Sequence, residues 1–367
     1  FMAMGIVTLQ WIAVGYSLSF GSSHGGLIGG LEYAFLRGVG LEPRADLGST
    51  VPHILFMAFQ MMFAVITPAL ISGAYAERLK FSAYVVFTLL WCTLVYDPVC
   101  HWIWHPDGWL FRRGALDFAG GTVVHMTSGI SALVFAVVLG KRRRRGPPHN
   151  LTMVLTGAGI LWFGWFGFNA GSALAANGVA ALALVNTHVA AAVGATVWAA
   201  IEWVKLGKPT ALGAASGLVA GLVVVTPAAG FVAPMGAVAL GALAGSGCFV
   251  GVWLKSKFGY DDALDAFGVH GVGGTLGALA TGVLATAAVN AAGKDGLLYG
   301  GSALLVEQVI AVGATAVYSV VVTFALLKIV DKAIGLRVPE DTEREGLDTS
   351  LHGEEGYIVG GAGGRFD

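Results

Sequence analysis

Residues 117–125 read DFAGGTVVH, and residues 262–270 read DALDAFGVH. In each stretch an aspartate precedes a histidine by eight residues, within an apolar segment that contains glycine. His125 and His270 lie five predicted membrane spans apart, an odd number, so their helices run in opposite directions. This arrangement is typical of an inverted repeat with its site near the membrane midplane. Eight residues of helix rise ~12 Å and half the hydrocarbon core measures ~15 Å, so both imidazoles are expected at nearly the same depth.

The chain as a whole has the composition of a membrane protein. Of its 367 residues, 56% are apolar or aromatic and 12% are charged, with a mean hydropathy of +0.75, whereas soluble domains carry about 25% charged residues. Because 21 Lys and Arg face 22 Asp and Glu, there is no basic field for nucleic acid. The 55 glycines follow no collagen period and lie among Leu, Val and Ala, as in closely packed membrane helices. The composition predicts a polytopic all-α protein in a lipid bilayer and not a soluble enzyme.

Ten segments are long and apolar enough to span a membrane, which takes about 20 residues. They are 1–20, 52–76, 81–101, 117–140, 151–172, 180–203, 210–226, 234–254, 265–289 and 302–330. With residue 1 in the cytoplasm, most Lys and Arg, including the run KRRRR at 141–145, fall in inner loops, as the positive-inside rule requires. Residues 1–330 are then a transmembrane domain, and residues 331–367 a polar cytoplasmic tail.

The inverted repeat predicts which spans are equivalent. If 117–140 pairs with 265–289, the preceding spans pair in turn, and 151–172 is left without a partner. The chain also begins with Phe1 and not with methionine. We therefore expect one more spanning helix before residue 1.

The two histidines admit more than one interpretation. A single buried histidine usually bonds a backbone carbonyl, but two at matched depth in antiparallel repeats favour a shared site. No third ligand is obviously placed with them, so no metal site is predicted; His188 is interpreted as a core or interface residue. A membrane cytochrome with bis-histidine haem is a distant alternative. An intramembrane hydrolase is disfavoured because no Ser/His/Asp or HExxH arrangement occurs.

Aromatic residues cluster toward the predicted outer face. The span 52–76 contains FQMMF (59–63), the span 151–172 contains WFGWFGF (162–168), and Trp102 and Trp104 follow the third span. Such residues form interfacial belts in many membrane proteins. A few rings facing a pore would instead offer their π-faces to a dehydrating cation, with the Ser172 hydroxyl as an acceptor.

Five longer motifs run through nearly the whole chain: ALDFAGGTVVH (115–125), GWFGFNAGSA (164–173), VTPAAGFV (225–232), DAFGVHG (265–271) and GLRVPEDTEREGLD (335–348). In this order they resemble the Amt/Mep/Rh ammonium transporter family, most closely its prokaryotic Amt branch. The resemblance implies a homotrimer of eleven-helix protomers with inverted five-helix repeats, one pore each, in a prokaryotic plasma membrane. The ten spans would be the second to the eleventh.

The resemblance also implies how such a protein works. Ammonium is recruited at an outer aromatic site, deprotonated, and conducted as ammonia, with or without the proton, without any cofactor. The implied roles are the pore's twin histidines His125 and His270, the outer-gate rings Phe63 and Phe168, the recruiting residues Phe63, Trp104 and Ser172, and the site-shaping acid Asp117. An ammonium sensor or an Rh-like gas channel on the same fold is the alternative.

The sequence departs from the family pattern at two places, and these departures and the tail each lead to a prediction. Asp97 stands where the family usually has an apolar residue, and HPDG (105–108) replaces a small, glycine-rich stretch. We expect Arg112 or Arg113 to neutralise the added carboxylates, or the carboxylates to raise the local cation concentration. Residues 335–357 are either a solvated tail or, as the resemblance implies, an ordered one that helps a PII-type signal protein plug the pores.

Overall fold

Helices make up most of the computed structural model, which describes residues 1–357. In chain order they are α1 Met2–Phe20, α2 His53–Ala74, α3 Phe81–Arg113, α4 Gly121–Leu139, α5 Leu151–Gly171, α6 Gly178–Leu206, α7 Ala211–Val225, α8 Pro234–Phe258, α9 Phe267–Leu284, α10 Ser302–Ile334 and α11 Glu340–Glu345. Within these residues, nine helices are long and apolar enough to cross a membrane, and α7 is a shorter apolar helix of 15 residues. Each of the ten predicted spans coincides with one of α1 to α10, which confirms the all-α polytopic class.

Two irregular segments shape the end of the helix bundle that lies away from the C-terminal residues. After α1 the chain forms a small antiparallel hairpin of β1 Ser23–His24 and β2 Ile28–Gly29. Helix α3 is interrupted by a turn at 105–108 before its last residues, Trp109–Arg113. The turn packs against the hairpin, since the Trp109 N–H donates to the carbonyl of Gly26 (3.1 Å).

The hydrophobic core has two large clusters that follow the predicted repeat, besides a small third one formed by Phe231, Ala285 and Leu304. One is built from α1 to α4 together with α10, and the other from α5 to α9. Helices α4 and α9, which carry the two histidines, meet where the halves join. A methyl group at Gly129 of α4 would lie 2.0 Å from the backbone nitrogen of Gly271 in α9, so only glycine permits this approach.

Both histidine-bearing helices begin in the same unusual way. Their first turn is a wide π turn, Gly121–Met126 in α4 and Phe267–Gly271 in α9, a feature that is frequent at functional sites. The histidines therefore lie four and three residues inside their helices, because the eight-residue stretches begin with a non-helical turn. The predicted rise of ~12 Å is thus wrong, although the relation between the two helices is as expected.

The C-terminal segment packs on the end of the bundle where α4 ends, and we call this end the tail face. The Lys80 N–H donates to the carbonyl of Leu336 (2.8 Å), and the Val338 N–H donates to the carbonyl of Arg78 (3.1 Å). The Arg337 guanidinium donates to the carbonyls of Leu139 (3.1 Å) and Lys141 (2.7 Å). Residues 336–338 therefore pack against the bundle, and the Glu343 carboxylate accepts from the backbone N–H of Arg143 (2.9 Å), so this part of the tail is not freely solvated.

Candidate functional site

The two histidines predicted to share a site contact each other directly. The Nδ1 atoms of His125 and His270 are 3.2 Å apart, and the ring centroids are 5.2 Å apart at an interplanar angle of 28°. A hydrogen bond between two imidazole nitrogens requires that one Nδ1 carries the hydrogen and the other accepts it. The donating ring then has a free lone pair at Nε2, and the accepting ring has Nε2–H. The pair thus presents one donor and one acceptor at its ends.

This contact bears on the haem alternative. Two histidines that ligate one haem bind opposite faces of the macrocycle, so their rings cannot hydrogen-bond each other. The His125–His270 contact therefore disfavours a bis-histidine cytochrome. Within residues 1–357, no group of three His, Cys, Asp or Glu side chains is arranged to hold a metal ion.

A pair of glycines brings the imidazoles together. Gly129 and Gly274 each follow a histidine by four residues, and each packs against the segment that carries the other histidine. A methyl group at Gly274 would lie 2.6 Å from the carbonyl oxygen of Gly121 and 3.1 Å from Cβ of His125. The separation of α4 and α9 therefore depends on the absence of side chains at these two positions.

Aromatic rings continue from the histidine pair toward the end opposite the tail face. Trp165 stacks on His125 with centroids 5.2 Å apart, and its indole N–H donates to the Thr226 hydroxyl (2.9 Å). Phe168 lies 6.0 Å from His125 and 4.5 Å from Phe63, between centroids. Phe63, Phe168, His125 and His270 thus form one continuous ring stack, as we call it below.

A cavity of ≈ 480 Å³ opens at the Phe63 end of the ring stack, and we call it the outer cavity because it lies at the end opposite the tail face. Four of the predicted residues line it, namely Phe63, Trp104, Ser172 and Asp117. The Trp104 ring is 5.3 Å from Phe63 and nearly perpendicular to it, at 80°. The Ser172 hydroxyl donates to the carbonyl of Phe168 (2.9 Å), so its oxygen keeps lone pairs with which to accept a hydrogen bond. The cavity therefore combines aromatic faces with hydroxyl and amide oxygens.

Asp117 holds the backbone below this cavity. Its two carboxylate oxygens accept from four backbone N–H groups at 2.7–3.0 Å, those of Gly120, Gly121, Thr122 and Val123. Gly120 has φ of 110°, in the left-handed region that glycine adopts without strain, and this turns the chain around the carboxylate. Because the four bonds are made to Gly120 and to the first three residues of α4, Asp117 organises the start of this helix.

The two added carboxylates have different surroundings. Asp107 forms an ion pair with Arg112, as expected. Asp97 does not: it is fully buried and accepts a hydrogen bond from Gln10 (2.8 Å). Arg113 pairs instead with Glu307 (2.7 Å). The expectation that Arg112 or Arg113 neutralises Asp97 is therefore wrong, because both arginines lie beyond the turn at 105–108 and face other acids.

Three features of the site were not predicted. Trp165 was only one member of an aromatic cluster in the sequence, and nothing marked it as the residue that covers His125. Gln60 lines the cavity, and its buried Oε1 atom has no hydrogen-bond partner. The spacing of a glycine four residues after each histidine was visible in the sequence and is the signal that would have identified the close helix contact.

Comparisons with known proteins give consistent matches over the chain. A model described as the Ammonium Transporter Family matches residues 1–357. The ammonium transporter of Bacillus subtilis (strain 168) is 53% identical over 360 residues, which are 97% of this chain and 88% of that protein. The crystal structure of Saccharomyces cerevisiae Mep2 superposes with a TM-score of 0.87 at 40% identity and covers 93% of this chain and 80% of that one. A structure titled Sensor Amt Protein gives 0.85 at 29% identity, covering 95% and 88%.

Proposed function

The chain belongs to the ammonium transporter family, and we propose that it transports ammonium across the membrane along the ring stack. The observation that carries the proposal is the direct contact of His125 and His270, next to the Phe63 and Phe168 rings that pack on each other. Matched relatives such as the Bacillus subtilis protein are named ammonium transporters. We propose transport without a cofactor and without an enzymatic reaction.

The first step is recruitment in the outer cavity. The ring quadrupoles of Phe63 and Trp104 place partial negative charge on the ring faces, and this attracts a cation. The Ser172 oxygen, with its free lone pairs, and the unpaired Oε1 of Gln60 can accept hydrogen bonds from ammonium. Asp117 fixes the backbone below the site, and the neutral oxygens of Ser172 and Gln60, not Asp117, bind the cation.

The second step separates ammonium from potassium. The two ions are of similar size, so a filter based on size alone does not distinguish them. Ammonium donates directed hydrogen bonds and can lose a proton, whereas potassium remains charged. Beyond Phe63 and Phe168 the path is apolar, and an ion entering it loses its hydration without compensation. Neutral ammonia avoids that cost and exchanges hydrogen bonds with the histidine pair, and the proton stays outside or passes through the imidazoles.

The same assignment includes the orientation and the assembly. We propose that the tail face lies in the cytoplasm of a prokaryote and that the protein resides in the plasma membrane, because basic residues concentrate at this end. We also propose a homotrimer. Helix α5 buries only Ala158, Trp165 and Asn169 and presents apolar side chains outward, as a helix at a subunit or lipid contact does. The ordered tail would then offer a cytoplasmic surface for a PII-type signal protein.

The test measures ammonium and potassium currents across planar membranes for His125→Ala and His270→Ala. We expect loss of most specific ammonium current while gel filtration shows a folded assembly. His188→Ala is the matched control, because His188 stacks on Trp162 (5.2 Å) away from the pair. We expect His125→Asp or His270→Asp to admit potassium, since a carboxylate supplies a fixed negative charge. Wild-type ammonium currents in the folded Ala variants would refute the assignment.

A sensor is the second candidate, since one structural relative carries that title. The same recordings distinguish the two functions. A protein that binds ammonium but passes no ammonium current in its wild-type form is a sensor, and the transport proposal then fails.

A further inference from the structure

Asp97 is a fully buried acid that lies outside the ring stack. It lies in α3 directly after a wide π turn, Cys92–Tyr96. Its Oδ2 accepts a hydrogen bond from Nε2 of Gln10 in α1 (2.8 Å), and its Oδ1 is buried without a partner. In residues 1–357, no Lys or Arg side chain forms an ion pair with it. The carboxyl group therefore has one neutral donor and no compensating positive charge.

Further buried oxygens without partners surround this carboxyl group. They are Oε1 of Gln10, Oγ of Ser19 and the phenolic oxygen of Tyr96, and all three side chains are at least nine-tenths buried. The Ser19 hydroxyl lies beside both the Asp97 carboxyl and the Cys100 thiol, and the Tyr96 phenol lies beside the same thiol. Buried polar atoms are nearly always paired with protein or with ordered water. Four unpaired oxygens in one place indicate that something from the solvent completes the site.

The charge balance identifies what that is. An ionised carboxylate in an apolar interior is very costly unless it is paired, and such a group normally takes up a proton instead. The titratable groups that face Asp97 are Cys92, Tyr96 and Cys100 of its own helix, with Asp117 near Cys100; α1 contributes only the neutral Gln10 and Ser19. None of these groups supplies a positive charge. We propose that Asp97, Gln10, Ser19 and Tyr96 form a buried, hydrated proton-binding site in which Asp97 is a neutral carboxylic acid.

A polar route connects this site with the end of the bundle opposite the tail face. The His101 Nδ1–H donates to the carbonyl of Ser19 (2.9 Å), and this fixes the tautomer so that Nε2 accepts from the Ser23 hydroxyl (2.8 Å). Ser23 belongs to the β1–β2 hairpin and is partly exposed. Hydrogen bonds therefore extend from the partly exposed Ser23 to the residue that carries the Ser19 hydroxyl, away from Phe63 and the histidine pair.

Infrared difference spectra of wild type against Asp97→Asn test the proposal directly. At neutral pH we expect the wild type to show the carbonyl stretch of a protonated carboxylic acid, shifted in heavy water and absent from the variant. Asp107→Asn is the matched control, because Asp107 is ion-paired with Arg112 and its loss should remove carboxylate bands only. Carboxylate bands for Asp97 at neutral pH would overturn the proposal. If those bands require sodium and vanish when choline replaces it, the site binds an alkali ion and not a proton.

A second measurement does not depend on the spectra. Asparagine is the neutral isostere of aspartic acid, so we expect Asp97→Asn to melt within a few degrees of wild type below pH ~4, where the acid is neutral in both the folded and the unfolded protein. Above pH ~4 the unfolded chain releases this proton while the folded protein keeps it, so the melting temperature of wild type should fall relative to that of the variant as the pH rises to neutral. Parallel melting curves of the two proteins from pH ~4 to neutral pH would contradict the proposal. If Asp97→Asn does not fold, Gln10→Leu keeps the acid but removes a donor that favours its ionised form, so the fall of its melting temperature should extend to higher pH than in wild type; an identical pH profile would contradict the proposal.

Discussion

Replacing Gly129 with alanine moves the two histidines apart without removing either of them. The added methyl group would lie 2.0 Å from the nitrogen and 2.4 Å from Cα of Gly271, and atoms of this kind need ~3.5 Å. Helices α4 and α9 must therefore separate by ~1.5 Å at this point. Since the Nδ1 atoms are now 3.2 Å apart, a shift of this size breaks their hydrogen bond, for which the limit is about 3.2–3.5 Å.

Overpacking of this kind costs about 1–3 kcal/mol, which a bundle of ten packed helices can tolerate. The loss of stability on replacing a glycine with alanine should depend on how close the added methyl group comes to its neighbours. Gly274→Ala brings its methyl group to 2.6 Å from a carbonyl oxygen and should perturb less. Gly157→Ala, in α5, meets nothing within 4 Å and should stabilise its helix slightly, because alanine is the better helix former by about 1 kcal/mol.

The assay combines melting temperature in detergent with ammonium current in planar membranes. We expect both quantities to fall most in Gly129→Ala, less in Gly274→Ala and not at all in Gly157→Ala. Wild-type current in Gly129→Ala, with a melting temperature that confirms folding, would refute the view that conduction needs the two imidazoles in contact.

Three further predictions concern the ends of the bundle. Asp117→Ala leaves four N–H groups of α4 without their acceptor at about 1–3 kcal/mol for each buried donor, so its melting temperature should fall by more than that of Asp117→Asn; equal values would show that the carboxylate is not needed. Burial raises the pKa of Asp261, but the hydrogen bonds and charge of Arg142 outweigh burial and hold the pKa below its usual value. The stabilisation from Asp261 is therefore present above pH ~4 and lost as the pH falls through the lowered pKa, and Asp261→Asn should show a flatter melting profile below pH ~4 than wild type. Deletion of residues 335–367 should alter ammonium uptake and abolish binding of a PII-type protein; unchanged uptake and binding would contradict a regulatory tail.

The relation between the two halves was predictable because it depends on spacing and direction alone. Repeated Asp-to-His intervals and a separation of five spans, an odd number, sufficed to place His125 and His270 in antiparallel helices. The start of each helix was not predictable in the same way. It depends on an aspartate carboxylate that accepts from backbone N–H groups, Asp117 at α4 and Asp262 at α9, and at α4 also on the left-handed Gly120. These are properties of a folded turn and not of hydrophobic periodicity.

Contacts between distant polar residues were the least predictable part. The outer cavity collects Phe63, Trp104, Asp117 and Ser172 from segments far apart in the chain, and only the resemblance to a family named them together. Asp97 was misjudged because its proximity in sequence to Arg112 suggested an ion pair. The fold instead buries Asp97 of α3 against α1, and Arg112 pairs with Asp107.

The hydrogen bond between the two Nδ1 atoms has a direction, and this direction limits how the histidine pair can transfer protons. Suppose that His125 donates to His270. A proton that binds Nε2 of His125 sends the shared hydrogen across, and Nε2 of His270 releases its own. Both tautomers are then reversed, and the pair can pass a second proton only backward until the rings or their hydrogens are reset. Ammonia, which enters and leaves neutral, requires no such reset. Trp165 stacks on His125 and restricts rotation of that ring, so under the proposed function the slow reorientation of His125 would limit how many protons accompany each molecule of ammonia.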